Sequence, residues 1–183
     1  MPLNSGDLEV ISAKLSLILA AAIPAGESHI GQVDTYVGIV RSTPVISTTI
    51  YGALDNIGGR PSFQNIFRVN GGKGILQYLI ITDKSAQKAD LQIHLFDSLP
   101  ENGVDNTVYA VGSDITKHLG IVFIATGDYI EVSSGIWIAV MPNLAIPVNN
   151  VSGNKNLYYT IKNVTDTPTY TAVSSLQITG SII

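Results

Sequence analysis

Three histidines, His29, His94 and His118, are the side chains of this 183-residue chain best suited to moving a proton near neutral pH. Nucleophilic catalysis would need one of them beside a serine or threonine, and none stands in a recognisable motif of that kind. His94 falls on the face of its predicted strand opposite Leu91, Ile93 and Leu95, the place of a half-exposed strand histidine. His118 precedes Leu119 at a predicted strand end, where a surface role is expected. Asp83, Asp97, Asp128 and Glu131 could in principle supply a carboxylate pair for acid–base work. Most aspartates, however, adjoin Gly, Asn or Ser, as in Asp55-Asn56, Asp105-Asn106 and Gly127-Asp128, which is turn chemistry. Gly71-Gly72-Lys73-Gly74 lacks the spacing of a phosphate loop and runs into a strand rather than a helix. Asp55-Asn56-Ile57-Gly58 lacks the later ligand positions of a calcium loop, and no histidines pair at i, i+2 or i, i+4. The expectation is a protein that is not an enzyme and uses no cofactor or metal. Among the aromatics, Tyr109, Tyr129 and Trp137 are the candidate ligand-facing residues, suited to stacking on a sugar or to a protein interface. Alternation places one of Tyr158 and Tyr159 inside and the other outside.

Composition bounds these readings. Lys+Arg 10 against Asp+Glu 14 leaves a net charge of −4, which speaks against a dedicated nucleic-acid partner. Charged residues are 13% of the chain, roughly half the ~25% usual in soluble domains, so part of its surface is expected to be covered by other protein. The absence of cysteine removes disulfides, thiol catalysis and thiolate metal sites. The longest apolar run, Leu15 to Ile23, ends at Pro24 and is far short of the ~20 residues that cross a bilayer, so no membrane is expected. Ala20-Ala21-Ala22 resembles a signal-peptide cleavage site, but Asp7 and Glu9 occupy the region where a positive charge belongs.

Two regions must position these residues. In residues 1–34, an N-terminal arm, Leu8, Ile11, Leu15, Ile18 and Ala22 recur at steps of three and four, the spacing of one helix face. Leu15, Leu17, Leu19, Ala21 and Ile23 also alternate as in a strand; the helix is preferred because an alanine run is a poor strand former. Residues 35–183 read as strands: Thr35–Val40, Val45–Tyr51, Ser62–Val69, Gly74–Thr82, Leu91–Phe96, Thr107–Val111, Leu119–Ala125, Tyr129–Val132, Gly135–Met141, Leu157–Lys162 and Ser175–Ile183. Many short strands punctuated by turn residues, with no helix between them, predict an all-β antiparallel sandwich. Uneven loops and the absence of the Cys-Trp-Cys pattern favour a jelly roll over an immunoglobulin-like domain.

One stretch carries a resemblance. Ile23-Pro-Ala-Gly-Glu-Ser-His-Ile-Gly-Gln-Val-Asp34 resembles the "LPAGTNxIGxVD" segments that recur in tailed-bacteriophage virion proteins. Tyr51–Gly59, Phe63–Gln77, Ile81–Leu91, Leu95–Ser98 and Pro168–Ala172 are similar to the β-domain that accompanies such segments, so the resemblance runs from Ile23 to the C-terminus. It implies a capsid decoration (cement) protein, or else a head-fibre or tail component, located on the virion after assembly in the host cytoplasm. A homotrimer that contacts the major capsid protein or another virion protein is further implied. Related chains can carry several such segments where this one has a single copy, which favours a compact decoration protein over a long fibre. In that setting Leu8, Ile11, Leu15, Ile18 and Ile23 of the arm are the expected partner-binding residues, able to bury apolar area against a neighbour at about 25 cal/mol per Å². The alternative is a receptor- or glycan-binding tip that uses the three aromatics named above.

Overall fold

Along the longest strand, β4 (Lys73–Asp83), Leu79, Ile81 and Asp83 are buried while Tyr78, Ile80 and Thr82 between them are half-exposed, the period-two pattern of a strand packed on one side. The computed structural model describes residues 36–183, which make one compact unit. In chain order the remaining strands are β1 (Gly38–Ser42), β2 (Asn56–Ile57), β3 (Ser62–Phe63), β5 (Leu91–Phe96), β6 (His118–Ile124), β7 (Tyr129–Ser133), β8 (Ile136–Met141), β9 (Ile146–Asn149), β10 (Leu157–Asn163) and β11 (Leu176–Ile182). They form two antiparallel sheets. A six-stranded sheet runs β1-β11-β4-β8-β7, with β9 pairing the other half of β4; a five-stranded sheet runs β2-β10-β5-β6, with β3 also on β10.

The pairings nest. The first strand pairs the last (β1 with β11), β2 and β3 pair β10, β4 pairs β8 and β9, and β5 pairs β6. A long antiparallel ribbon folded over on itself in this way is a jelly roll, in agreement with the sequence. The core lies between the sheets, where Phe63 stacks on Tyr159 at 4.7 Å and Tyr51 meets Tyr170 edge-on at 6.0 Å. Tyr159 is buried and Tyr158 half-exposed, as alternation requires.

Two predicted strands do not form and a third is cut short. Val45–Tyr51 is an irregular crossing, because Ser47 Oγ takes up the Thr49 N–H and the Tyr51 hydroxyl takes up the Ser47 N–H, so side chains replace a ladder. Ser62–Val69 stops at Phe63, since Asn65 adopts a left-handed conformation (φ 56°) and its N–H is taken by Asn156 Oδ1. Thr107–Val111 makes a single bridge, Asp55 to Val108, before turning away. Conversely β9, which contains Pro147, has no counterpart among the predicted strands; proline is tolerated there because, among the described residues, β9 has a ladder partner, β4, along one side only.

Candidate functional site

Cross-strand partners share a face of their sheet, and this rule builds the most chemically equipped surface of the molecule. On the five-stranded sheet, Thr160 of β10 lies opposite His94 of β5, and His94 lies opposite Ile121 of β6. One row further along, Tyr158, Phe96 and His118 line up in the same way, with a register irregularity at Leu95/Phe96. All of these point away from the core, where a bare strand histidine would be half-exposed. His94 is instead only 7% exposed, because the connection from β5 to β6, residues 97–117, folds back across this face. Tyr109 from that connection sits over the imidazole at 4.6 Å between ring centroids.

The connection is braced from within by one buried carboxylate. Asp114 accepts hydrogen bonds from the Glu101 N–H at 2.9 Å, the Asn102 N–H at 2.8 Å and the Lys117 ammonium at 3.0 Å. Burial alone would raise its pKa, but the N–H groups of Asn102 and Glu101, with Lys117, hold it below the ordinary carboxylate value. A second anchor lies at the far end of the loop, where the Tyr51 hydroxyl donates to Asp105 Oδ1 at 2.7 Å. The same oxygen accepts the Gly58 N–H at 2.6 Å.

Between connection and sheet lies a pocket of about 340 Å³ lined by His94, Tyr109, Val111, Ile115, His118, Ile121 and Lys162. His94 Nδ1 is 3.1 Å from His118 Nε2, so one imidazole donates and the other accepts. Burial first, then the charges of His118 and Lys162, push the His94 pKa down to about 4. Burial lowers His118 as well. Burial thus favours the neutral form of both rings, and a proton on His94 would set a charge facing Lys162. The buried hydroxyl of Tyr109 faces that of Thr160 on the sheet beneath it, and burial raises the Tyr109 pKa against the opposing effect of this neighbour.

Chemically this is a pair of weak bases under an aromatic cover. No carboxylate touches either imidazole among the described hydrogen bonds, so the arrangement lacks the acid that would orient a general base. Among the described residues no three histidine, cysteine or acidic side chains gather as metal ligands. Sequence reasoning left His94 half-exposed and His118 at the surface because the two lie 24 residues apart and meet only through the β5–β6 register.

The other predicted residues are placed differently. Tyr129, taken from the sequence as ligand-facing, is 6% exposed; its side chain is on the inner face opposite Ala139, and its hydroxyl donates to the Ala89 carbonyl at 3.3 Å. That is a correction, and the cause is parity: Tyr129 begins β7 on the core side, which leaves Ile130 outside. Trp137 is half-buried against the core, with the Lys88 ammonium 4.3 Å above its ring. Tyr109 is half-buried and faces His94 rather than open solvent. Leu8, Ile11, Leu15, Ile18 and Ile23 lie outside the described residues.

A second surface is apolar rather than chemical. On the outer face of the six-stranded sheet, Ile130 of β7 lies opposite Ile138 of β8, and Val140 of β8 lies opposite Ile80 of β4. Ile130, Val132 and Val140 are exposed, Ile130 by 69%. Where β7, β8 and the C-terminal half of β4 face one another the outward positions carry no charge, although Thr82 of β4 is polar; the face turns polar at Gln177 and Thr179 of β11 and charged at Arg41 of β1, opposite Thr179.

No family model matches this chain, and no curated protein matches it. A chain of the solved structure of tomato aspermy virus matches at 12% identity over 94% of this chain and 92% of that one, with a TM-score of 0.32, a likeness too weak to bear on fold or function.

Proposed function

We propose that this protein is a non-enzymatic structural subunit of a bacteriophage virion, a capsid decoration or cement protein that works in multiple copies, as a homotrimer on the capsid surface. The observation that carries this reading is the apolar patch where β7, β8 and β4 meet on the outer face of the six-stranded sheet, with Ile130, Val132 and Val140 open to solvent in a chain that is only 13% charged. Contiguous exposed apolar surface of this kind marks a site for contact with other protein. The sequence resemblance of Ile23 to Asp34 and of the β-domain that follows adds the virion as the setting. The receptor- or glycan-binding alternative loses its main support, because Tyr129 is buried, Tyr109 packs on His94 and Trp137 lies beneath the Lys88 ammonium rather than being set out as a platform.

The test is to mix purified protein with phage particles stripped of accessory proteins and to image the product by electron microscopy. Saturable density at fixed capsid positions, together with raised heat resistance of the particle, is the expected result. Val140→Lys should abolish that binding while leaving the protein folded, and deletion of residues 1–34 tests the contacts proposed for the arm. No association with any particle, at any protein excess, would refute the reading.

A further inference from the structure

A sheet edge offers unpaired N–H and C=O groups to any passing strand, and proteins guard such edges with charges, prolines, bulges or very short strands. Four of the five edges among the described residues are guarded, the four-residue β9 edge by Pro147. The β1 edge is five residues long, carries Arg41 and runs on into Pro44; the β7 edge carries Glu131 and a bulge between Glu131 and Ser133. The β2 and β3 edge consists of two-residue strands separated by Gly58-Gly59-Arg60-Pro61. The fifth, β6, is different. It runs seven residues, His118-Leu-Gly-Ile-Val-Phe-Ile124, with no proline and no formally charged residue. Among the described residues its only ladder partner is β5, and it pairs regularly from Gly120 to Ile124. Phe123 is 63% exposed beside it.

We infer that β6 is a self-pairing edge: two copies of this chain join antiparallel, β6 to β6, about a two-fold axis through Val122, fusing their five-stranded sheets into one. The sequence of the strand chooses both occupant and register. With the axis at Val122, Ile121 of each copy lies opposite the partner subunit's Phe123, so the two exposed side chains form two aromatic–β-branched pairs, a favoured cross-strand combination. No charged residue within the strand meets a like charge. Antiparallel pairing also sets the Lys117 end of each β6 beside the Asp128 end of the other, so the charges flanking the strand are of opposite sign at both ends. By contrast, β7 paired with itself would bring two Glu131 side chains to the same short interface. The contact spans about 23 Å of strand at ~3.3 Å per residue, which is small for a permanent dimer, so a dissociation constant in the micromolar range is expected. This inference concerns the edge of the five-stranded sheet and stands or falls apart from the virion reading, which rests on the outer face of the other sheet.

The experiment is sedimentation equilibrium of the full chain over a wide concentration range, with thermal unfolding as the folding control. Wild type should associate reversibly through a two-fold contact. Phe123→Lys should weaken that association at least tenfold at unchanged melting temperature, and Val173→Lys, also exposed but remote from β6, should leave it intact. Because the native chain has no cysteine, register can be read by oxidation. A mixture of Ile121→Cys and Phe123→Cys proteins should form disulfide-linked dimers, whereas Val173→Cys mixed with Phe123→Cys should not. A monomeric wild type at every concentration, an oligomer untouched by Phe123→Lys, or equal cross-linking in both mixtures would each overturn the inference. Loss of particle binding with the β6 dimer retained would count against the proposed function alone.

Discussion

Acidification should loosen the pocket between β5, β6 and the 97–117 connection, and the size of the effect follows from one imidazole. In the unfolded chain His94 titrates at its ordinary value of 6.5; in the fold, burial and the charges of His118 and Lys162 move it to about 4. Between those values the unfolded chain binds more protons than the folded one, so stability is full above pH 6.5 and is lost as the pH falls towards 4. A gap of about 2.5 units corresponds to at most ~3.4 kcal/mol at ~1.36 kcal/mol per unit. The ring is nearly covered, but its pocket opens to solvent beside Ile115 and Ile121, and screening there reduces the usable figure to about half, ~1.5–2 kcal/mol. For a domain of this size that is a fall in Tm of about 3–8 °C. Thermal unfolding of wild type and His94→Gln from about pH 7.5 to about pH 4.5 isolates the contribution, because carboxylate protonation is common to both proteins and cancels. The wild type should lose that many degrees more than the variant across the window, and the His94 ring signals in an NMR titration should stay unshifted down to about pH 5. Equal pH slopes for the two proteins, or a His94 ring that titrates at its ordinary value, would refute the reasoning.

Three further substitutions probe the supports of the same architecture. Asp114→Ala leaves the part-buried N–H groups of Glu101 and Asn102 without their acceptor and should cost about 1–3 kcal/mol in denaturant unfolding, with faster hydrogen exchange at those two amides. Tyr51→Phe removes the hydroxyl that accepts from Ser47 and donates to Asp105, and a loss of about 1–2 kcal/mol is expected by the same measurement. Gly72→Ala would set a methyl group 2.7 Å from Phe67 Cβ and 2.9 Å from the Val69 carbonyl oxygen, and the forced shift should cost about 1–3 kcal/mol. An unchanged midpoint in any of these would show that the contact concerned carries no weight.

Much of the fold was legible in the chain because a jelly roll buries its strands one face at a time. Leu91–Phe96, Tyr129–Val132, Gly135–Met141, Leu157–Lys162 and the long central Gly74–Thr82 announce themselves through apolar spacing that does not depend on what they pair with. Where that independence fails, so does the reading. Val45–Tyr51 has strand composition, yet the hydroxyls of Ser47 and Tyr51 satisfy its backbone locally. Thr107–Val111 alternates like a strand, but its N–H and C=O groups serve Leu54 and Asn56 in a loop contact.

Composition and periodicity thus determined by themselves that this is an all-β sandwich with only 13% charged residues, since hydrophobic burial and charge count are sums over the chain. Which side chains meet was decided only in three dimensions. The His94–His118 pair exists because β5 and β6 pair in one register and the residue 97–117 connection closes over them. Tyr129 is core rather than surface because β7 begins on one parity and not the other, and a shift of one residue would exchange it with Ile130. Register and loop return are long-range geometry, set by the mutual packing of two sheets, and no local window of sequence contains them.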